Sequence, residues 1–143
     1  MERVTSHPIR VLVVEDDPND QDLLHHQLRK TAFGEHVLFF SDPRRALATL
    51  REPGSADLRA GLLALFLDVN LPHMSGIDLL RKLRGIEDLD GVPVIIMTTN
   101  PHPDTRAACQ ELNVAFIAEK PVTVTQFAKV LADLFNQGRS AAA

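Results

Sequence analysis

Five short apolar runs alternate along the chain with five stretches whose apolar residues recur at helical spacing. The runs fall at residues 9–14 (IRVLVV), 35–40 (EHVLFF), 62–67, 94–97 and 114–118. The first is nearly continuous and β-branched, as expected of a strand buried on both faces. Each run is followed by a helix start. Asp17 precedes Pro18 as cap and first helical residue, and Leu23, Leu24, Gln27 and Leu28 then run to about Lys30. Ser41, Asp42 and Pro43 open a helix with Ala46, Leu47 and Leu50. Gly76 to Arg84 carries Ile77, Leu79, Leu80 and Leu83. Pro101, Pro103 and Asp104 form a loop and cap for a short helix to about Leu112. Residues 123–136 carry Phe127, Val130, Leu131 and Leu134 on one stripe. Residues 51–61, with Pro53, Gly54 and Ser55, read as a loop longer than the usual connection of about 4–6 residues.

Strands alternating with helices predict an α/β fold with a parallel sheet covered on both faces. Right-handed crossovers leave few topologies, and a doubly wound five-stranded sheet leads them. The expected organisation is an N-terminal lead-in over 1–8, one domain over 9–137 and a disordered tail over 138–143.

Composition narrows the function classes. The chain has 143 residues, 45% of them apolar and 24% charged, which suits one globular domain with a proper core. A net charge of −4 offers no basic footprint for nucleic acid. No apolar run approaches the roughly 20 residues that span a bilayer, and a cytoplasmic location is expected. The single Cys109 excludes an intrachain disulfide and reads as a helix-packing residue. The six histidines lack metal-ligand spacing apart from adjacent His25 and His26, which fall on a polar helix face. His73 and His102 read as surface residues in loops.

The predicted topology brings four strand ends to one rim, where open α/β sheets bind ligands. They carry Glu15 with Asp16, Asp68, Thr98 and Lys120. Taken singly, each has a plain structural explanation: acidic caps start helices, Asp favours turns, Thr ends a strand, and most lysines are surface residues. Together they carry chemistry. Two carboxylates about 4 Å apart repel by about 4 kcal/mol at an effective dielectric near 20, or about three pKa units. Three such groups ask for a divalent cation, and an all-oxygen donor set favours Mg²⁺ or Mn²⁺ over Zn²⁺. Lys120 suits an anionic oxygen as a point charge, and the Thr98 hydroxyl can donate to one.

The stretches VLVVEDDP, LDVNLPHMSG, VPVIIMTT and EKP, in that order, closely resemble the receiver domain of two-component response regulators. The resemblance runs from about Arg10 to Phe135. It implies a flavodoxin-like (βα)5 fold with strand order 2-1-3-4-5. By position it makes Asp68 the phosphoacceptor, Asp16 a direct metal ligand, and Glu15 a ligand acting mostly through water. Asn70 would ligate the metal through its backbone carbonyl. Thr98 would contact the phosphoryl group, and Lys120 would pair with it. The bond before Pro121 is expected to be cis. Asn70 and Asn100, two positions beyond Asp68 and Thr98, would flank the water that hydrolyses the acyl phosphate. The chain departs from the family three positions before the lysine, where an aromatic is common and Ile117 stands here. Phe116 falls on the opposite face of that strand by period-two geometry.

The long 51–61 segment, DVNLP and the Thr98-Thr99 pair resemble stand-alone receivers paired with phytochrome-type sensor kinases. That resemblance implies a sensor histidine kinase as partner, a bacterial phytochrome among the candidates, and a homodimer through the 104–136 face. The chain ends soon after its last helix, so output through protein contacts or phosphorelay is expected, with Phe135 a candidate contact. Rival readings are a receiver-like module that binds without phosphorylation and a phosphatase with an Asp nucleophile. The latter chemistry usually pairs Asp-x-Asp, whereas Asp68-Val69-Asn70 lacks the second acid.

Overall fold

A computed structural model describes residues 11–30, 34–123, 125–126, 128–130 and 132–133. The expectations for 1–8, Ile9, Arg10, Phe127, Leu131, Leu134, Phe135 and 138–143 lie outside the described residues.

Five strands, β1 (Val11–Val14), β2 (Val37–Phe40), β3 (Ala64–Asp68), β4 (Val94–Thr98) and β5 (Phe116–Glu119), form one sheet. Every pairing is parallel, as the alternation of strands and helices predicts, and the order is β2-β1-β3-β4-β5, as the resemblance implies. The helices are α1 (Pro18–Leu28), α2 (Pro43–Arg51), α3 (Ala56–Gly61), α4 (Gly76–Arg84) and α5 (Pro103–Glu111). Residues 125–126, 128–130 and 132–133 are also helical.

Period-two alternation splits the core into two layers. On one face Leu12, Val14, Leu65, Leu67, Val94 and Ile96 pack against α2, α4 and α5. On the other, Val11, Val13, Phe66, Ile95 and Met97 meet Leu24 and Leu28 of α1, with Val130 against the same layer. The central strands β1, β3 and β4 are buried along their whole length, which explains their unbroken apolar runs. Cys109 is buried in the first layer, as expected of a packing residue.

The starts of α1, α2 and α4 follow the sequence, and that of α5 differs. Asp17 caps α1 by accepting from the backbone N–H groups of Asn19 and Asp20, with Pro18 in the first turn. Asp42 caps α2 and Ser75 caps α4 in the same manner. For α5 the cap is His102, whose Nδ1 accepts from the Asp104 N–H at 3.1 Å. Asp104 is the first-turn acid, not the cap.

The segment read as a loop at 51–61 is largely helical. A 3-10 turn (Pro53–Ser55) leads directly into α3. Pro53, Gly54 and Ser55 stop α2 but do not prevent the next helix. Leu58 packs onto the core, and the Arg59 guanidinium donates to the carbonyls of Leu50 and Glu52 at 2.9 and 2.8 Å. It also pairs with Asp88 at 3.0 Å, 29 residues away.

Candidate functional site

Register carries the site. Val14 pairs with Leu67 and Asp68 with Met97, so Glu15, one residue past β1, stands level with Asp68. The Glu15 N–H donates to the Phe40 carbonyl at 2.9 Å, extending the ladder by that one residue. Thr98 pairs with Glu119, and the Lys120 N–H donates to the Thr98 carbonyl at 2.8 Å. Four strand ends therefore stop within about one residue of each other, and their side chains converge.

Lys120 holds the centre. Its ammonium reaches Glu15 Oε1 at 2.5 Å, Asp68 Oδ2 at 2.7 Å and Asp20 Oδ2 at 3.0 Å. Glu15 and Asp68 are buried, at 0% and 4% exposure. The remaining Asp68 oxygen, Oδ1, accepts from the Asn70 N–H at 3.0 Å. Glu15 Oε2 accepts from the Asp17 N–H at 3.2 Å, and Gln21 donates its amide to the Glu15 carbonyl. Thr98 is buried, and its hydroxyl oxygen accepts from the Asn100 N–H at 3.3 Å. The Lys120–Pro121 bond is cis, as the resemblance implies.

The electrostatics are unbalanced toward negative charge. Carboxylate oxygens of Glu15, Asp16 and Asp68 lie within 4.8 Å of one another. At that spacing each ionised pair repels by about 3–4 kcal/mol at an effective dielectric near 20. Burial pushes the Glu15 carboxyl up from 4.5 to about 7; its hydrogen bond and charge contact with Asp68 act in the same direction, and Lys120 and the Asp17 N–H only partly oppose them. Burial also works against the Lys120 charge, but Asp68, Glu15 and Asp20 outweigh it and hold the ammonium above its ordinary 10.5. One ammonium does not neutralise this rim. An oxygen-only cluster with surplus charge, in which Asp16 is open to solvent, fits a hard divalent cation.

The loop after Asp68 closes tightly. Gly76 opens α4, and its N–H donates to the Val69 carbonyl at 2.9 Å. A Cβ on Gly76 would run into the Asp68 carbonyl, with the Asp68 carbonyl carbon at 2.8 Å and Val69 Cα at 3.1 Å. Its φ is not positive, so the requirement is for space.

The structure brings Glu15, Asp16, Asp68 and Lys120 together and sets Thr98 on the same rim. Asp20 is the residue that sequence reading missed. It is a first-turn acid of α1, five residues after Glu15, and a helix starting at the rim puts its third residue beside the site. Ile117 packs against the core while Phe116 is exposed at 44%, the opposite-face arrangement expected. His25, His26, His73 and His102 are all exposed.

Comparison with known proteins agrees with this fold. Response regulator Rcp1 of Synechocystis sp. is 29% identical over 107 residues, covering 75% of this chain and 73% of Rcp1. The Mn²⁺-bound structure of Rcp1 superposes with a TM-score of 0.69 at 27% identity, over 87% of this chain and 89% of that one. Bacteriophytochrome response regulator RtBRR gives a TM-score of 0.74 at 28% identity, over 89% of this chain and 78% of that one. The sensory/regulatory protein RpfC of Xanthomonas campestris is 25% identical over 134 residues, 92% of this chain, but the chain spans only 17% of RpfC. Among the described residues no helix is long and apolar enough to cross a membrane. The model of the response regulator receiver domain matches residues 11–132, and the chain belongs to that family.

Proposed function

We propose that the chain accepts a phosphoryl group on Asp68 from a sensor histidine kinase and signals through the resulting change in its surface. The observation that carries this reading is the Asp68 carboxylate, buried at a strand end, with one oxygen 2.7 Å from the Lys120 ammonium. A carboxylate so placed is oriented without freedom to turn away, and its charge is partly neutralised for the approach of an anion. Transfer forms a bond between phosphorus and an Asp68 oxygen while the bond to the donor nitrogen breaks, giving an acyl phosphate. Lys120 follows the charge onto the phosphoryl oxygens. The Thr98 hydroxyl, whose oxygen accepts from the Asn100 N–H, donates its proton to one of them. Glu15, Asp16 and Asp68, with the Asn70 carbonyl, would hold Mg²⁺, which when bound neutralises phosphoryl charge at the rim. Water, entering past Asn70 and Asn100, hydrolyses the acyl phosphate and resets the domain.

The likeness to RtBRR supports a bacterial phytochrome kinase as the donor. The readout runs through α5, β5 and the residues beyond them, with Ile117 in place of an aromatic switch, and the same 104–136 face is where two copies would meet. Incubation with Mg²⁺ and a small phosphodonor, followed by intact mass, tests the assignment. One phosphoryl group should be gained by the wild type and none by Asp68→Asn. Equal gain by both variants refutes it, and turnover of an external phosphoester would favour a phosphatase.

A further inference from the structure

An ammonium has three N–H donors, and Lys120 spends all three on carboxylates: Glu15, Asp68 and Asp20. Glu15 and Asp68 are fixed by strand ends and buried. Asp20 differs from both. It sits on the first turn of α1 with its side chain 40% exposed, and its 3.0 Å contact is the longest of the three.

A phosphoryl group on Asp68 brings three new acceptor oxygens to an ammonium that has no donor left. The Asp68 contact follows the charge onto one of them, and a second donor must be released by Glu15 or Asp20. Glu15 is buried without access to water and is held by the Asp17 N–H, so releasing it would strand a carboxylate in the core. Asp20 exchanges its contact for water at little cost because it already faces solvent.

From this geometry we infer that Asp20 is a positioning residue that competes with the phosphoryl group for the Lys120 ammonium and thereby slows phosphorylation of Asp68. The inference rests on the phosphoacceptor reading above. Asp20 touches neither the phosphoacceptor nor the reacting atoms; it acts only through Lys120.

The competition predicts a gain of rate, which structural damage would not produce. Asp20→Asn keeps the helix cap, because the Asp17 side chain accepts from the backbone N–H of residue 20. Phosphorylation by acetyl phosphate at saturating Mg²⁺ and fixed pH, followed by intact mass, should run roughly three- to ten-fold faster in Asp20→Asn at low ionic strength. Asp20→Ser should behave likewise, and Asp20→Glu, which keeps the charge, should stay near the wild-type rate. Salt should narrow the gap, since at about 1 M the screening length falls to about 3 Å. Asp22→Asn, an exposed acid on the same helix, controls for general attraction of the anionic donor and should not accelerate. An unchanged or slower rate in folded Asp20→Asn and Asp20→Ser, or equal acceleration by Asp22→Asn, overturns the inference while leaving the phosphoacceptor reading intact. Absence of any mass gain in the wild type overturns both.

Discussion

Gly76 lies so close to Asp68 that the Asp68 carbonyl occupies the space a Cβ at residue 76 would need. The glycine is therefore part of how the acid is held: the chain leaves β3, turns through His73 at φ 70°, and returns to start α4 against its own strand end. Gly76→Ala should cost about 1–3 kcal/mol, the scale of overpacking against backbone that cannot step aside. It should also slow phosphoryl uptake, because relief of the clash moves Asp68. Gly54→Ala, with nothing within 4 Å of the added carbon, is the control and should change stability little. Urea denaturation of the two variants measures the difference, and a Gly76→Ala midpoint equal to that of the wild type would contradict the argument.

Much of this arrangement is legible in the sequence, for a definite reason. Strands buried on both faces must be apolar throughout, so the first polar residue after such a run marks the strand end: Glu15 and Asp68 stand at such boundaries, while Lys120 follows Glu119 at the end of the partly exposed β5. Parallel order then places those ends on one rim. What escapes is information carried by side chains meeting across long separations. Asp20 and Lys120 are 100 residues apart, and the acid in the first turn of α1 has a sufficient local explanation in the helix dipole. Helix α3 escaped because Pro53-Gly54-Ser55 is a strong stop signal, whereas the contacts that hold α3, Arg59 to Leu50, Glu52 and Asp88, are tertiary. Gly76 was legible as a helix start but not as a space requirement.

Removing the ammonium should expose the surplus charge. Lys120→Met keeps the length of the side chain but leaves Glu15 and Asp68 buried without a cation. Breaking such a buried pair costs about 3–5 kcal/mol. The loss should be greatest near pH 7.5 and smaller near pH 5, where the stranded carboxyls take up protons instead. Mg²⁺ at millimolar concentration should restore part of it. Thermal melts at the two pH values, with and without the ion, measure this; a loss that does not depend on pH would mean that packing, not charge, is what Lys120 supplies.

Arg84 predicts a purely structural effect. Its guanidinium donates to the carbonyls of Leu112, Leu89, Asp90, Val92 and Asn113 at 2.9–3.3 Å, fastening the turns before β4 and β5 to the end of α4. Arg84→Ala leaves several partly buried carbonyls without a donor, so a loss of about 2–3 kcal/mol is expected. Lysine cannot reproduce the planar fork, and Arg84→Lys should recover less than half of the loss. Phosphoryl uptake by the folded fraction should be unchanged. Chemical denaturation set beside a phosphorylation time course separates the two readouts.

Glu15 sets the sign of the pH dependence. Its carboxyl titrates near 7 in the folded domain against 4.5 ordinarily. Between those values the unfolded chain has released the proton and the folded chain still holds it. The unfolded state therefore binds fewer protons, and stability falls as pH rises through that window. The contribution is at most about 3 kcal/mol. Lys120 adds no slope there: its ammonium is raised above 10.5, so the stability it contributes is complete at lower pH and is lost only as pH rises through its folded value. Glu15→Gln should flatten the Glu15 contribution between pH 4.5 and 7. A divalent ion should act against the slope in the wild type, because it favours the ionised carboxylate that the metal-free fold disfavours, so stabilisation by Mg²⁺ should grow as pH rises from 5 to 7.5. Denaturation midpoints across that range, measured with Mg²⁺ and with chelator, provide the check. Metal-free stability that rises with pH across the same range in the wild type but not in Glu15→Gln would place the Glu15 proton on the unfolded chain instead and reverse the assignment.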